Sequence, residues 1–175
     1  MQSDATTAAT IAIHASGDRP PARATAGTTP SVTVAVAATA EAKAASSEIR
    51  FGGGARWMLA ADGSAPSPME AVLASLAACQ VLTYQYWAAC LGIVLDRCEA
   101  TVEGRFDPRG FQGDAEATGV GFDAVRVVVR VEGPEATERY GELADHVDRH
   151  CPVHDTLSGG VRIERVLDVA SPAAP

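Results

Sequence analysis

Basic residues are in the minority in this chain: 14 Lys and Arg stand against 22 Asp and Glu, a formal net charge of -8. That balance argues against nucleic acid as a partner, because a phosphate backbone demands a basic face. Long apolar runs are missing too. Gln80, Tyr84 and Gln85 interrupt the longest one before it reaches the roughly 18 residues that cross a bilayer, so no membrane span is expected. The opening Met1-Gln2-Ser3-Asp4 lacks the basic and apolar regions of a secretory signal, and a cytoplasmic location is the expectation. Cysteine is sparse. Four in 175 residues do not make a disulfide scaffold, and in a reducing compartment such thiols serve in packing, metal binding or catalysis. Apolar residues, in contrast, make up 47% of the chain, enough to bury the core of one domain.

Residues 1–30 are rich in Ala, Thr, Pro, Ser and Gly and cannot bury enough apolar surface to offset their ordering entropy. They read as a disordered N-terminal segment, followed by a single domain over residues 31–170. Val32, Val34 and Val36 alternate with small or polar residues, the mark of a strand. A second extended stretch runs from Glu48 to Phe51, and Gly52-Gly53-Gly54 turns the chain into Arg56-Trp57-Met58-Leu59. Ser67-Pro68-Met69-Glu70 is a capping box with proline at the first helical position, and Gly92 is a helix stop. The helix between them is about 36 Å long at 1.5 Å per residue and is apolar nearly all round. A domain this small can hardly cover it, so a partner subunit is expected to help. Alternation then marks two strands, Cys98 to Phe106 and Phe122 to Val131, with a polar loop from Pro108 to Gly121 between them. Pro134 opens a second helix that Cys151-Pro152 breaks. Val161, Ile163, Val166 and Val169 suggest a final strand. The order predicts an α+β two-layer domain with an antiparallel sheet packed on a long central helix.

Two cysteines lie in unlike settings. Cys79 sits deep in the apolar helix, where a free thiol ordinarily serves as a small buried hydrophobe. Cys151 stands at a proline-marked break far away in sequence. Cys90 is about 16 Å from Cys79 along the same helix and cannot bridge to it. Cys98 fits the inward face of a strand, and both Cys90 and Cys98 are expected in the core. Cys151 and His154, with His150 and Cys79, could ligate zinc, yet a second tight Cys/His pair is lacking, and no metal or other cofactor is expected. His150 and His154 are expected to tune or flank the second thiol, and Asp155 to cap the short turn after Pro152.

Ser67-Pro68-Met69-Glu70 leading into Leu76-Ala77-Ala78-Cys79, together with His150-Cys151-Pro152-Val153, resembles the OsmC/Ohr family of thiol-dependent peroxidases over roughly Val32 to Val169. The resemblance implies an intertwined homodimer with two long helices at its centre. It also implies an organic hydroperoxide as substrate, an external dithiol as reductant, Cys79 as the peroxidatic thiol and Cys151 as the resolving one. A thiolate in mid-helix needs a cation beside it. The family supplies an Arg held by a Glu directly after the helix-opening proline; here Met69 occupies that place, and Arg56, or else Arg50, is the candidate. The other function that suits such a chain is a non-enzymatic OsmC-like protein that binds a small apolar ligand, or senses oxidants, at the dimer-interface pocket.

Overall fold

The structure, a computed structural model, describes residues 6–14, 36–40, 44–51 and 53–167. Its central element is helix α1, Pro68–Leu91, which starts and stops where the local chemistry demands. The Ser67 hydroxyl accepts from the Glu70 N–H at 3.2 Å, and the Glu70 carboxylate accepts from the Ser67 N–H at 2.7 Å. Gly92 closes the helix at φ 64°, a left-handed conformation that glycine adopts without a Cβ penalty. No helix among the described residues is long and apolar enough to cross a membrane.

The strands form two antiparallel sheets of three. In one, β1 (Thr6–His14), β5 (Arg97–Phe106) and β6 (Phe122–Glu132) lie side by side with β5 in the middle. In the other, β3 (Ser46–Phe51) is central between β2 (Val36–Thr39) and β4 (Arg56–Ala60). Three further helices follow in chain order: α2 (Pro108–Phe111), α3 (Thr137–Asp148) and α4 (Pro152–Gly159). The architecture is α+β, with an antiparallel sheet against a long helix.

Register explains why β5 is the buried strand. Cys98, Ala100 and Val102 pair with Val131, Val129 and Val127 of β6, and all six lie on one face because successive residues of a strand alternate sides. That face packs with Leu73, Leu76, Ala77 and Val81 of α1 and with Leu143 and Val147 of α3 in one core. Gly104 continues the inward row. A Cβ there would stand 2.4 Å from the Phe122 ring, so only glycine lets that ring lie across the strand.

Four expectations need correction or fall outside the described residues. Within the segment expected to be disordered, Thr6–His14 forms β1, in register against β5 from Thr6↔Arg105 to His14↔Arg97. The free edge of β5 supplies this ladder, and no local signal in an Ala/Thr-rich stretch reports it. Residues 31–35, which carry Val32 and Val34, are not described; Val36 begins β2. Residues 161–167 take no strand conformation, and Val161, Ile163, Val166 and Leu167 are exposed, because alternation without a ladder partner does not make a strand. Val169 lies outside the described residues. Cys90, expected in the core, is exposed in the last turn of α1, whereas Cys98 is buried as expected.

Candidate active site

The packing of α3 and α4 on α1 brings the two distant cysteines together. Cys151 is the joint between α3 and α4: its N–H donates to the Val147 carbonyl at 2.9 Å, and its own carbonyl accepts from the Asp155 N–H at 3.0 Å. Pro152 lacks an N–H and has φ preset for the first helical position, so the chain reverses into α4 at this residue. The turn places the Cys151 side chain against the middle of α1. Cys151 Sγ lies 3.4 Å from Cys79 Sγ, although the residues are 72 apart in sequence. Cys151 is wholly buried, and Cys79 is partly exposed.

Burial pushes the Cys151 thiol above its ordinary value, and the neighbouring Cys79 sulfur adds to that. Two donors act against the rise: the main-chain N–H of His154 and the hydroxyl of Thr83. Thr83 stands one helical turn beyond Cys79, and its hydroxyl donates to the Cys79 carbonyl at 2.7 Å. The sequence signal for Thr83 was its place, four residues after Cys79 in an otherwise apolar helix. Spacing alone did not connect it to Cys151.

The histidines brace the joint. The His150 ring bonds through Nδ1 to the His146 carbonyl at 2.6 Å, and the His154 ring through Nδ1 to the Asp148 carbonyl at 3.1 Å. The His146 and His150 rings stack at 4.3 Å and both lie against Trp87 of α1. Burial, with His150 and Arg149 nearby, holds the His146 imidazole below its ordinary value, which favours the neutral ring. The His154 ring thereby ties α4 to the end of α3. Asp155 lies in the first turn of α4.

Arg56 is not beside the thiols within one chain. It is exposed on β4 and ion-paired with Glu48 at 3.6 Å. Arg50, directly across the hairpin from it, pairs with the same carboxylate and holds it below the usual range. One turn from the sulfurs on both helices, a cleft of about 420 Å³ opens between Leu76 of α1, Phe122, Val125 and Val127 of β6, and His154 and Leu157 of α4. Its floor is largely apolar, a shape suited to a small ligand that gains from leaving water.

The helix-bound thiol, the second thiol on a proline turn and the sheet across α1 define an α+β protein in which two of the four cysteines meet. The model of the OsmC-like protein family matches residues 61–165, and the chain belongs to that family. A hydroperoxide reductase from Mycoplasma genitalium is 29% identical over 94 residues, 53% of this chain. The match spans 62% of that relative's own length. Among solved structures, an OsmC-like protein from Mycoplasma pneumoniae superimposes with a TM-score of 0.65 at 20% identity, covering 74% of this chain and 89% of that one. The organic hydroperoxide resistance protein OhrB of Bacillus subtilis gives 0.52 at 20% identity, with 74% and 93% covered. One from Legionella pneumophila gives 0.56 at 18%, with 73% and 90% covered. These likenesses establish the fold.

Proposed function

We propose that the protein is a cytoplasmic thiol-dependent peroxidase that reduces organic hydroperoxides to alcohols. The observation that carries the proposal is the 3.4 Å separation between a partly exposed sulfur and a wholly buried one. The Cys79 thiolate attacks the terminal oxygen of the hydroperoxide, the O–O bond breaks, and the departing alkoxide takes a proton and leaves as the alcohol. Cys79 is left as a sulfenic acid. The Cys151 sulfur then attacks Cys79 Sγ, water leaves, and the resulting disulfide protects Cys79 from over-oxidation. An external dithiol restores both thiols. The apolar cleft beside Leu76 favours substrates with a greasy substituent.

Activation of Cys79 is assigned to Arg56. Because Arg56 meets Glu48 on an exposed hairpin in the single chain, that role requires the hairpin to approach a thiol of a second subunit. A homodimer also accounts for the apolar side chains that α1 exposes, among them Leu82 at 56%. Stopped-flow oxidation by cumene hydroperoxide and by hydrogen peroxide tests the proposal, with Cys79→Ser and Cys151→Ser as controls. Fast, Cys79-dependent oxidation that prefers the organic peroxide and ends in a 79–151 disulfide is expected. Rates no better than a free thiol overturn it.

Met69 in the first turn of α1, where the peroxidase pattern has Glu, favours one other function: a non-enzymatic protein that binds a small apolar ligand in the cleft or senses oxidants. Thiol titration around limiting peroxide separates the two, since the enzyme loses two thiols per subunit and a binder few.

A further inference from the structure

The apolar cleft beside Leu76 has a polar rim, and an irregularity in β6 builds part of it. Arg105 pairs with Ala124 and Phe106 with Phe122, so Asp123 is an extra residue, a bulge that interrupts the alternation of the strand. Phe122 and Asp123 consequently both line the cleft. The exposed Asp123 carboxylate accepts from the Thr118 hydroxyl at 3.2 Å. Two further polar side chains line the cleft, His154 and Ser158 of α4. The His154 Nδ1 meets the Asp148 carbonyl, which can only accept, so in the neutral ring Nε2 is left as an acceptor. The Ser158 hydroxyl donates to the His154 carbonyl at 2.9 Å, so its hydrogen is spent within α4. Among the described residues no lysine or arginine lines the cleft. Arg126, the nearest in sequence to Asp123, is set apart from Val125 and Val127 by the alternation of the strand and lies 3.7 Å from Glu103.

We propose that Asp123 selects the substrate of this cleft: uncharged organic hydroperoxides enter, and hydroperoxides that bear a carboxylate are turned away. The inference rests on the proposed peroxidase function and names the substrate class of that same site. Every lining side chain is apolar or presents an acceptor. A ligand carboxylate, which can only accept, finds no donor side chain there and meets the Asp123 charge. An uncharged aryl or alkyl substituent gains from the walls of Leu76, Phe122, Val125 and Val127 and meets no such opposition. Like charges held within a Debye length, about 8 Å at physiological salt, should cost the anion roughly tenfold in kcat/KM. Asp123 is thus a specificity-determining residue that takes no part in the thiol chemistry.

The test pairs cumene hydroperoxide with its para-carboxylate and reads the ratio of kcat/KM, neutral over anionic, with dithiothreitol as reductant. The full chain is expected to favour the neutral peroxide roughly tenfold, and less so as salt is raised. Asp123→Asn, which keeps the oxygen that accepts from Thr118, should bring the ratio close to one, and Asp123→Lys should reverse it. Glu138→Gln removes the same charge from the first turn of α3, beside Arg139, which reaches the Leu91 carbonyl. Leu91 is about 22 Å along α1 from Leu76, so this variant should leave the ratio alone. A ratio near one in the wild type, or an equal response to Asp123→Asn and Glu138→Gln, overturns the proposal. The redox-inert products, cumyl alcohol and its para-carboxylate, are titrated in parallel by NMR. Weaker binding of the anion that Asp123→Lys reverses, with neither peroxide turned over, sinks the peroxidase function and leaves the selection standing. Turnover of both peroxides at equal rates sinks the selection alone, and neither turnover nor binding of either alcohol sinks both.

Discussion

Joining Cys79 to Cys151 should raise the stability of the folded chain, because the cross-link closes a loop of about 72 residues in the unfolded ensemble. The chain-entropy estimate for such a loop is about 4 kcal/mol at 25 °C. From this must be taken any strain of drawing the sulfurs from 3.4 Å to a bond length of about 2.05 Å, a movement of about 1.3 Å. Cys79 lies in a helix whose backbone will not shift, and Cys151 sits at a turn, so side-chain rotation at the turn supplies most of the movement. A net gain of about 2–4 kcal/mol is expected, and with it a rise in Tm of roughly 5–15 °C for a domain of this size. The assay is urea and thermal unfolding of the reduced protein, the diamide-oxidised protein and Cys151→Ser under both conditions. The variant should not respond to the oxidant. An oxidised wild type no more stable than the reduced one would refute the reasoning, since the fold would then strain the disulfide as much as the loop closure stabilises it.

Cys90, exposed, should react with a maleimide in the native protein, whereas Cys98, buried and pushed up to about 11, should be labelled only on unfolding; peptide mapping of both states checks this. Gly104→Ala should destabilise by about 1–3 kcal/mol, because its Cβ would lie 2.4 Å from the Phe122 ring. The loss should be partly shared with Phe122→Ala in a double-mutant cycle, read from denaturant unfolding. The Ser67 N–H holds the Glu70 carboxyl below its ordinary value of 4.5, so its capping contribution is complete above pH 4.5 and is lost as the pH falls through the lowered folded value. Unfolding free energies of wild type and Glu70→Ala measured between pH 7 and pH 3 should therefore converge on acidification.

The parts of this protein that are legible in its sequence are those whose causes lie within a few residues. The box at Ser67–Glu70 and the stop at Gly92 bound α1 because caps act within one turn. The alternation of Cys98, Ala100 and Val102 marks β5 because one face of that strand is buried along its whole length. Cys151-Pro152 ends one helix and starts another for reasons internal to the dipeptide. The pairing of the two thiols was reached through family resemblance, and the packing of α3 and α4 on α1 is what sets their sulfurs 3.4 Å apart. Only tertiary structure decided that Cys151 is wholly buried while Cys79 stays partly exposed. It also decided that Cys90 is exposed, that Arg56 meets Glu48, and that Thr6–His14 finds an edge on β5 while residues 161–167 find none. Apart from the Arg56–Glu48 pair, which spans one hairpin, the deciding partner lies far along the chain. A ladder, an ion pair or a covering surface exists only once distant segments have packed, and local pattern carries no record of that.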